Sequence, residues 1–262
     1  MRAAGQVWAG LMMAIAGLVA CAAPAPAHAQ AAAATWQYQL KGPIDTSVGA
    51  STFDVDLFDT PASTVAELKA AGRTVICYVN VGAVEDWRPD STLPAEVRGN
   101  ELDGWPGEFW LDIRRLDLLE PYIAARFDQC RAKGFDGVEP DNVDGYANDS
   151  GFDLTADDQL AYNRMISRLA RERGLTVGLK NDLDQVNELV NDFDFAVNEQ
   201  CHEYDECGAL RPFVAAGKPV FNAEYAARYR RAPAALCAAS RREGLTTLVL
   251  PLALDGSFRL AC

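Results

Sequence analysis

The stretch GFDGVEPDN, residues 134–142, has the pattern of a buried β-strand that ends in acidic and amide residues. A helical pattern precedes it over residues 116–133, and a second follows over residues 156–173. Thr155 and the acid three residues later fit a capping-box variant, and Gly174 suits the C-terminal end of that helix. A strand between two amphipathic helices is the repeating unit of α/β folds, so this stretch predicts an α/β protein.

The same alternation extends along the chain. Seven more β-rich runs lie at residues 36–40, 53–58, 74–81, 176–181, 195–200, 219–225 and 247–252, and further helical patterns at 62–71, 184–191, 207–216 and 233–243. Eight such strands predict a (β/α)8 TIM-type barrel. The alternative is an open doubly wound sheet, although the sequence has no GxGxxG motif and no P-loop.

Three features modify the predicted barrel. No helical pattern separates the first two runs, and few residues follow the last one. We therefore expect the first and last helices to be reduced or missing. The long loop over residues 82–115 contains Trp110–Ile113, which has the composition of a short additional strand.

The N-terminal region has the pattern of an export signal. Arg2 precedes an uncharged apolar run that is shorter than a membrane-spanning helix requires. Two processing sites compete. Leu18–Cys21 resembles a bacterial lipobox that would lipidate Cys21, and Ala27–Ala29 matches the A-x-A pattern of ordinary cleavage before Gln30.

These alternatives define the expected organisation and location. The signal covers residues 1–29, or 1–20 with a lipidated Cys21, and an Ala/Pro-rich linker leads to a single barrel domain over residues 35–262. We expect an exported monomer, held as a lipoprotein at the outer cell surface or in the periplasm, or otherwise secreted.

Six cysteines remain once Cys21 is set aside, and an even number in an exported protein predicts disulfides. Cys201–Cys207 would close a short loop, and Cys237–Cys262 would fix the C-terminal segment. For Cys77 and Cys130 a buried free thiol is an equally acceptable interpretation.

The composition excludes several classes of function. The chain has 24 Lys+Arg against 37 Asp+Glu, a net charge of -13, which argues against nucleic acid and polybasic membrane contacts. His202 is the only histidine after the signal, and HExxH, GxSxG and EF-hand patterns are absent. We expect no metal and no cofactor, so the chemistry must come mainly from carboxylates.

Acidic residues recur where the predicted strands end, which is where barrel enzymes place their active sites. Asp141 and Glu199 end the fourth and sixth strands. Because alternate strands share side-chain layers, the two can face each other across the barrel mouth. Glu139 points the same way as Asp141. Opposed carboxylates are what glycoside hydrolysis requires. The strand-end acids and Lys180 line the expected site together with aromatic residues suited to stacking on sugars: Asp56, Asp59, Asp182, Glu224, Trp36, Trp87, Trp105, Trp110 and Tyr225.

A set of motifs carries a family resemblance: WQYQL, DVDLFD, ICYVNVG, WLDIR, GFDGVEPDNVDGY, GLKN, NEQC and FNAEY, in order over residues 36–252. The chain resembles the endo-α-1,4-polygalactosaminidases, glycoside hydrolase family 114. The resemblance implies a (β/α)8 enzyme that cleaves α-1,4-linked galactosamine polymers, with Asp141 as nucleophile and Glu199 as general acid/base. Residues matching motif positions that would line the sugar site are Asp56, Tyr78, Asp112, Lys180, Asn181, Glu224 and Tyr225.

Charge and resemblance agree on the substrate class. Unacetylated galactosamine carries an ammonium group, which an acidic cleft would attract. We expect the acid excess to concentrate in residues 45–59, 136–144 and 191–206, which contain no Lys or Arg. The alternatives are a non-catalytic carbohydrate-binding surface lipoprotein and a structural barrel without a deep acidic pocket. Retention against inversion depends on the carboxylate separation and stays open.

Overall fold

The structure, a computed structural model, describes residue 1 and residues 35–262. The predicted export signal, with Cys21 and the alternative cleavage site after Ala29, lies outside the described residues. Residues 35–262 fall within one compact unit, Ala33–Cys262.

Twelve strands are present in the described residues. They are β1 (Trp36–Gln39), β2 (Thr52–Asp56), β3 (Thr74–Asn80), β4 (Ala83–Glu85), β5 (Arg98–Glu101), β6 (Glu108–Leu111), β7 (Gly137–Asp141), β8 (Thr176–Lys180), β9 (Phe195–Glu199), β10 (Val220–Glu224), β11 (Thr246–Val249) and β12 (Leu260–Ala261). The helices are α1 (Ala62–Ala70), α2 (Leu116–Lys133), α3 (Ala156–Glu172), α4 (Val186–Leu189), α5 (Arg211–Ala215), α6 (Ala227–Arg231) and α7 (Pro233–Glu243).

Eight parallel strands form one curled sheet in the order β1-β2-β3-β7-β8-β9-β10-β11, with β12 antiparallel on β11. These eight strands are the predicted ones, so the TIM-barrel-like fold is confirmed. Residues 40–51 contain no helix, and only the short β12 follows β11, as expected for reduced first and last helices.

Within residues 35–262, β1 and β11 form no strand pairing with each other, and individual hydrogen bonds close the seam between them. The Trp36 indole donates to the carbonyl oxygen of Thr246 at 3.1 Å, and Arg259 donates to the carbonyl oxygen of Trp36 at 2.7 Å. The amides of Leu40 and Lys41 both donate to the carbonyl oxygen of Leu254. Residues 251–262 therefore complete this side of the barrel.

Side chains fill the barrel in layers, as the strand period of two dictates. At the amino end of the strands Trp36 stacks on Phe221 with ring centroids 5.0 Å apart, and Phe195 meets Phe221 edge-on. Gly178 makes room for this layer, since a Cβ there would lie 2.3 Å from the Phe195 ring. The next positions along the strands carry the polar side chains described below.

The helices pack on the outside as predicted, with two differences. The capping box at Thr155 and the left-handed Gly174 are both present. The predicted helices at 184–191 and 207–216 are each shorter, beginning as 3-10 turns before α4 and α5. The helix α6 was not predicted, because ARYRR has no apolar period.

All six cysteines of the barrel are paired. Cys201–Cys207 and Cys237–Cys262 confirm the expected pairs. The interpretation of Cys77 and Cys130 as free thiols is wrong, because their disulfide ties β3 to α2 inside the core.

The long loop after β3 carries a separate three-stranded antiparallel sheet in the order β4-β6-β5. The extra strand predicted at Trp110–Ile113 corresponds to β6. Its two partner strands were not predicted. None of the helices within residues 35–262 combines the length and apolar character needed to cross a membrane.

Candidate active site

Lys180, the last residue of β8, lies at the centre of the site. Its ammonium is 2.9 Å from Asp141 Oδ1, 3.2 Å from Glu139 Oε1 and 3.3 Å from Glu199 Oε2. Burial alone lowers the pKa of Lys180, but the three carboxylates outweigh burial and raise it well above its usual value. The ammonium therefore stays charged, and the nitrogen is not a nucleophile.

Asp141 ends β7 and accepts a hydrogen bond from the Tyr78 hydroxyl at 2.6 Å. Burial tends to raise the pKa of this carboxyl, yet the charge of Lys180 and the hydrogen bonds from Tyr78, Lys180 and the backbone amide of Asn142 outweigh burial and lower the pKa. Asp141 is thus held as a carboxylate, the form required of a nucleophile.

Glu199 ends β9 on the other side of Lys180. Tyr225 donates a hydrogen bond to its Oε1, and Asn181 accepts a hydrogen bond from its backbone amide at 3.0 Å. Because Asp141 Oδ1 and Glu199 Oε2 lie 2.9 and 3.3 Å from one nitrogen, they are at most about 6.2 Å apart. Both carboxylates therefore lie at one site, as two-carboxylate glycoside hydrolysis requires.

These residues lie at the floor of an open cleft of about 1120 Å³ at the carboxyl ends of the strands. Residues 252–254 form part of its wall, and the three-stranded sheet with its connecting loops supplies much of the rest. The lining includes the aromatic rings of Tyr38, Tyr78, Trp87, Trp105 and Trp110.

The cleft is strongly acidic. Its lining acids outnumber its three bases (Lys41, Arg88 and Lys180) and are Asp56, Asp59, Glu85, Glu101, Asp103, Glu108, Asp141, Asp144, Asp149 and Glu199. Burial, with neighbouring negative charges, raises the pKa of Glu108 to about 7 and that of Asp144 to about 6. Such carboxyls would ionise more readily beside a bound cation.

The distribution of the acid excess differs from the expectation. Some acids of residues 45–59, 136–144 and 191–206 line the cleft, but Asp136, Asp192 and Asp194 lie near the amino ends of the strands. They pair there with Lys69, Arg164 and Arg171. For these acids the predicted grouping is wrong, and the cleft draws its further negative charge from the long loop after β3.

Asp56 lines the cleft as predicted and is already paired with a base. Arg88 donates to Asp56 Oδ2 at 2.7 Å and to Glu85 Oε1 at 3.0 Å. Because the Arg88 side chain is mostly buried, this pair forms a fixed part of the wall. It leaves less negative charge at Asp56 for a ligand.

The described residues contain one close group of three potential metal ligands, Cys201, His202 and Cys207. Both sulfurs belong to a disulfide, so they are not available as thiolates.

The family model of glycoside-hydrolase family GH114 matches residues 18–262. The chain belongs to family GH114. It is a glycoside hydrolase, and the resemblance inferred from the sequence motifs is confirmed.

The chain is also similar to two solved structures and to a bacterial protein. The crystal structure of Aspergillus fumigatus Ega3 in complex with galactosamine has a TM-score of 0.82 and 37% identity, covering 88% of this chain and 95% of Ega3. The glycoside hydrolase domain of Pseudomonas aeruginosa PelA has a TM-score of 0.67 and 20% identity, covering 87% and 96%, which supports the fold. An uncharacterized protein of Deinococcus radiodurans is 31% identical over 225 residues, covering 73% of this chain and 72% of the relative.

Most of the predicted site residues meet in this GH114 cleft. Asp56, Tyr78, Asp141, Lys180, Asn181 and Glu199 line it, and Tyr225 touches Glu199. Glu139 is fully buried directly beneath Lys180, so it reaches the site through that ammonium and not through the cleft surface.

Three predicted sugar contacts lie elsewhere. Trp36 is buried in the lowest layer of the barrel. Asp112 pairs with Arg114 ahead of α2. Glu224 points away from the barrel interior and accepts hydrogen bonds from the His202 amide and from Asn222. The structure places none of these three residues in the lining of the cleft, where they were expected.

Sequence reasoning missed Tyr38, Arg88 and Glu108. Tyr38 is two residues beyond Trp36, so it points to the same interior one layer closer to the cleft, a signal that the strand period contained. Arg88 and Glu108 belong to the three-stranded sheet and its loops, and their position depends on long-range pairing that no local pattern indicates.

Proposed function

We propose that this GH114 protein is an exported, endo-acting hydrolase of α-1,4-linked galactosamine-containing polysaccharide that uses Asp141 as nucleophile and Glu199 as general acid/base. The observation that carries the proposal is the placement of both carboxylates on one ammonium at the floor of an open acidic cleft. An open cleft accepts a chain in its middle, which suits endo cleavage.

The proposed reaction proceeds in two displacements. Asp141 attacks the anomeric carbon while Glu199 donates its proton to the leaving oxygen, which gives a glycosyl–enzyme ester. Glu199 then removes a proton from water, and the water oxygen displaces Asp141. We propose that the anomeric configuration is retained, because the two oxygens, at most about 6.2 Å apart, are compatible with the separation of about 5–5.5 Å between the carboxyl groups of a retaining pair.

The substrate class follows from charge and from similarity. Ammonium groups on unacetylated galactosamine would be attracted by the acids of the cleft. Ega3, which is 37% identical, was crystallised with galactosamine. A neutral or anionic polymer would carry no positive groups to pair with these acids.

The proposed location is an oxidising compartment outside the cytoplasm. Three disulfides within residues 35–262 suit such a compartment. We propose export by the N-terminal signal, with Cys21 as a lipid anchor or cleavage after Ala29 as the alternative. We propose that the enzyme acts as a monomer.

The test is incubation with partly deacetylated galactosaminogalactan, with products sized by mass spectrometry and the first released anomer identified by NMR. We expect oligosaccharides of mixed length and an α anomer released first. Binding without any cleavage would favour the carbohydrate-binding alternative, cleavage of a different glycan would overturn the substrate, and a β anomer would overturn retention.

A further inference from the structure

Beneath the catalytic floor, a second pair of carboxyls lies inside the barrel. Asp54 in β2 and Glu139 in β7 both point to the interior, and both side chains are fully buried. Neither is exposed to the cleft, so neither contacts a substrate. The proposed mechanism gives them no role.

If Asp54 and Glu139 were both ionised, most of their carboxylate oxygens would lack a hydrogen-bond donor. Glu139 Oε1 accepts from the Tyr38 hydroxyl at 3.1 Å and contacts the Lys180 ammonium at 3.2 Å. As carboxylates, Glu139 Oε2 and both oxygens of Asp54 would have no donor among residues 35–262. Three buried oxygens without a donor would be costly, and one proton between the two groups removes most of that cost.

We propose that Asp54 and Glu139 share one proton, carried on Asp54 and donated to Glu139, so that the pair sets a single negative charge under Lys180. Glu139 then positions the Lys180 ammonium between Asp141 and Glu199. Asp54 acts one step further away, as a positioning residue that keeps Glu139 ionised. The proposal rests on the proposed function only for its effect on catalysis.

The electrostatics of the pair agree with this assignment. Burial, followed by the charge of Glu139, raises the pKa of Asp54 well above its usual range. Burial also raises the pKa of Glu139, but Lys180 and the hydrogen bond from Asp54 oppose that rise. The proton therefore belongs on Asp54, the member of the pair that does not touch Lys180.

The charge under Lys180 affects both catalytic carboxyls. Titratable groups from the surrounding strands that share this interior are Tyr38, Tyr78, Asp141, Lys180, Glu199 and Tyr225. Without the charge on Glu139, Lys180 would be balanced by Asp141 and Glu199 alone. Asp141 would then ionise at lower pH.

The catalytic test compares three variants by the pH profile of kcat/KM on the galactosamine polymer. Asp54→Asn keeps a neutral donor to Glu139, so its profile should match that of the wild type. In Asp54→Leu the side chain has a similar shape but cannot donate a hydrogen bond to Glu139. In Asp54→Asn/Glu139→Gln neither side chain of the pair can carry a charge. Both variants should move the acidic limb of the profile, which depends on Asp141, by about one pH unit to lower pH. An unmoved profile in the double variant, or a moved profile in Asp54→Asn, would overturn the proposal.

A second readout needs no substrate and therefore separates this proposal from the proposed function. An infrared difference spectrum between the wild type and Asp54→Asn, at about pH 9, should show the C=O band of a protonated carboxyl in the wild type alone. A carboxylate band in its place would overturn the proton assignment, whether or not the enzyme cleaves the polymer. If Asp54→Leu does not fold, as judged by circular dichroism, the double variant and this infrared spectrum still test whether Asp54 and Glu139 share a proton.

Discussion

The ammonium of Lys180 lies 2.9 Å from Oδ1 of Asp141, and the two residues end neighbouring parallel strands, β8 and β7. This contact keeps the proposed nucleophile ionised inside a crowded acidic site, because it opposes the effect of burial on Asp141. The same ammonium reaches Glu199, so one base couples both proposed catalytic groups.

Replacing Lys180 should therefore disable the site without removing either carboxylate. We expect Lys180→Met to lower kcat by about 100-fold or more and to move the acidic limb of the pH profile upward, since Asp141 loses its counter-charge. Initial rates of reducing-end release across pH measure both effects. Lys69→Met, which removes an exposed lysine paired with Asp136, is the control and should leave the profile in place.

The two carboxylates should be separable by the leaving group. Glu199→Gln should cut polymer hydrolysis by about 10²- to 10⁴-fold, because the leaving oxygen is no longer protonated. An aryl glycoside of a galactosamine oligomer needs no such proton, so its first cleavage step should be largely retained in Glu199→Gln and lost in Asp141→Asn. The reverse pattern would exchange the two proposed roles, and near-normal hydrolysis by both variants would remove the pair from the mechanism.

The hydroxyl of Tyr78 is expected to matter through Asp141. Tyr78→Phe removes a hydrogen bond to a charged group, which is worth about 1.5–3 kcal/mol, so kcat/KM should fall by about 10- to 100-fold. The pKa of Asp141 should rise, which moves the acidic limb upward. Tyr122→Phe is a matched control, since the Tyr122 hydroxyl has no hydrogen-bond partner among the described residues. Equal losses in the two variants would contradict a specific role for Tyr78.

Asp182 should make stability depend on pH. Burial and the charge of Asp144 raise its pKa to about 8, so between an unfolded value of about 4 and 8 the folded state holds a proton that the unfolded state releases. Stability is therefore lost as pH rises through this window. Asp182→Asn should raise the Tm at pH 9 and change it little at pH 4, with about 2–4 °C expected for each kcal/mol. A Tm difference that is equal at both pH values would contradict the raised pKa.

The Cys237–Cys262 disulfide should stabilise the segment over residues 251–262. Its sequence separation is 25, against 6 for Cys201–Cys207. Loop-closure entropy then predicts a loss of about 3.5 kcal/mol in the double Ser variant at 237 and 262, against about 2.2 kcal/mol for the double Ser variant at 201 and 207. Urea unfolding followed by circular dichroism measures both. A larger loss in the second variant would mean that loop length does not control the effect.

The sequence predicted those parts of the fold and site that depend on local periods. Strand ends and helix caps follow from patterns of two and about four residues, and the pair Asp141 and Glu199 follows from alternate strands sharing a layer. These features came out as expected because each depends only on the alternation of side chains within a strand and on the order of the strands in the sheet.

The remaining differences have three physical causes. Trp36 and Tyr38 are two residues apart in β1, so both side chains point into the barrel. Only the position of β1 along the barrel axis places Trp36 in the core and Tyr38 at the cleft. Glu224 and Tyr225 are adjacent in sequence and therefore point to opposite faces of the sheet. Because both faces of β10 are buried, the hydrophobic pattern does not show which face is interior. The Cys77–Cys130 bond and the three-stranded sheet depend on contacts between distant residues.

The seam between β1 and β11 links the closure of the barrel to the wall of the cleft. Residues 251–262 follow all eight barrel strands in the chain, yet they supply both the seam contacts at Trp36 and Leu40 and the wall residues Leu252–Leu254. Without these contacts the eight strands would still pair with one another, but the seam would open and the cleft would lack part of its wall. Activity should accordingly depend on residues 251–262 as well as on the strands that carry Asp141 and Glu199.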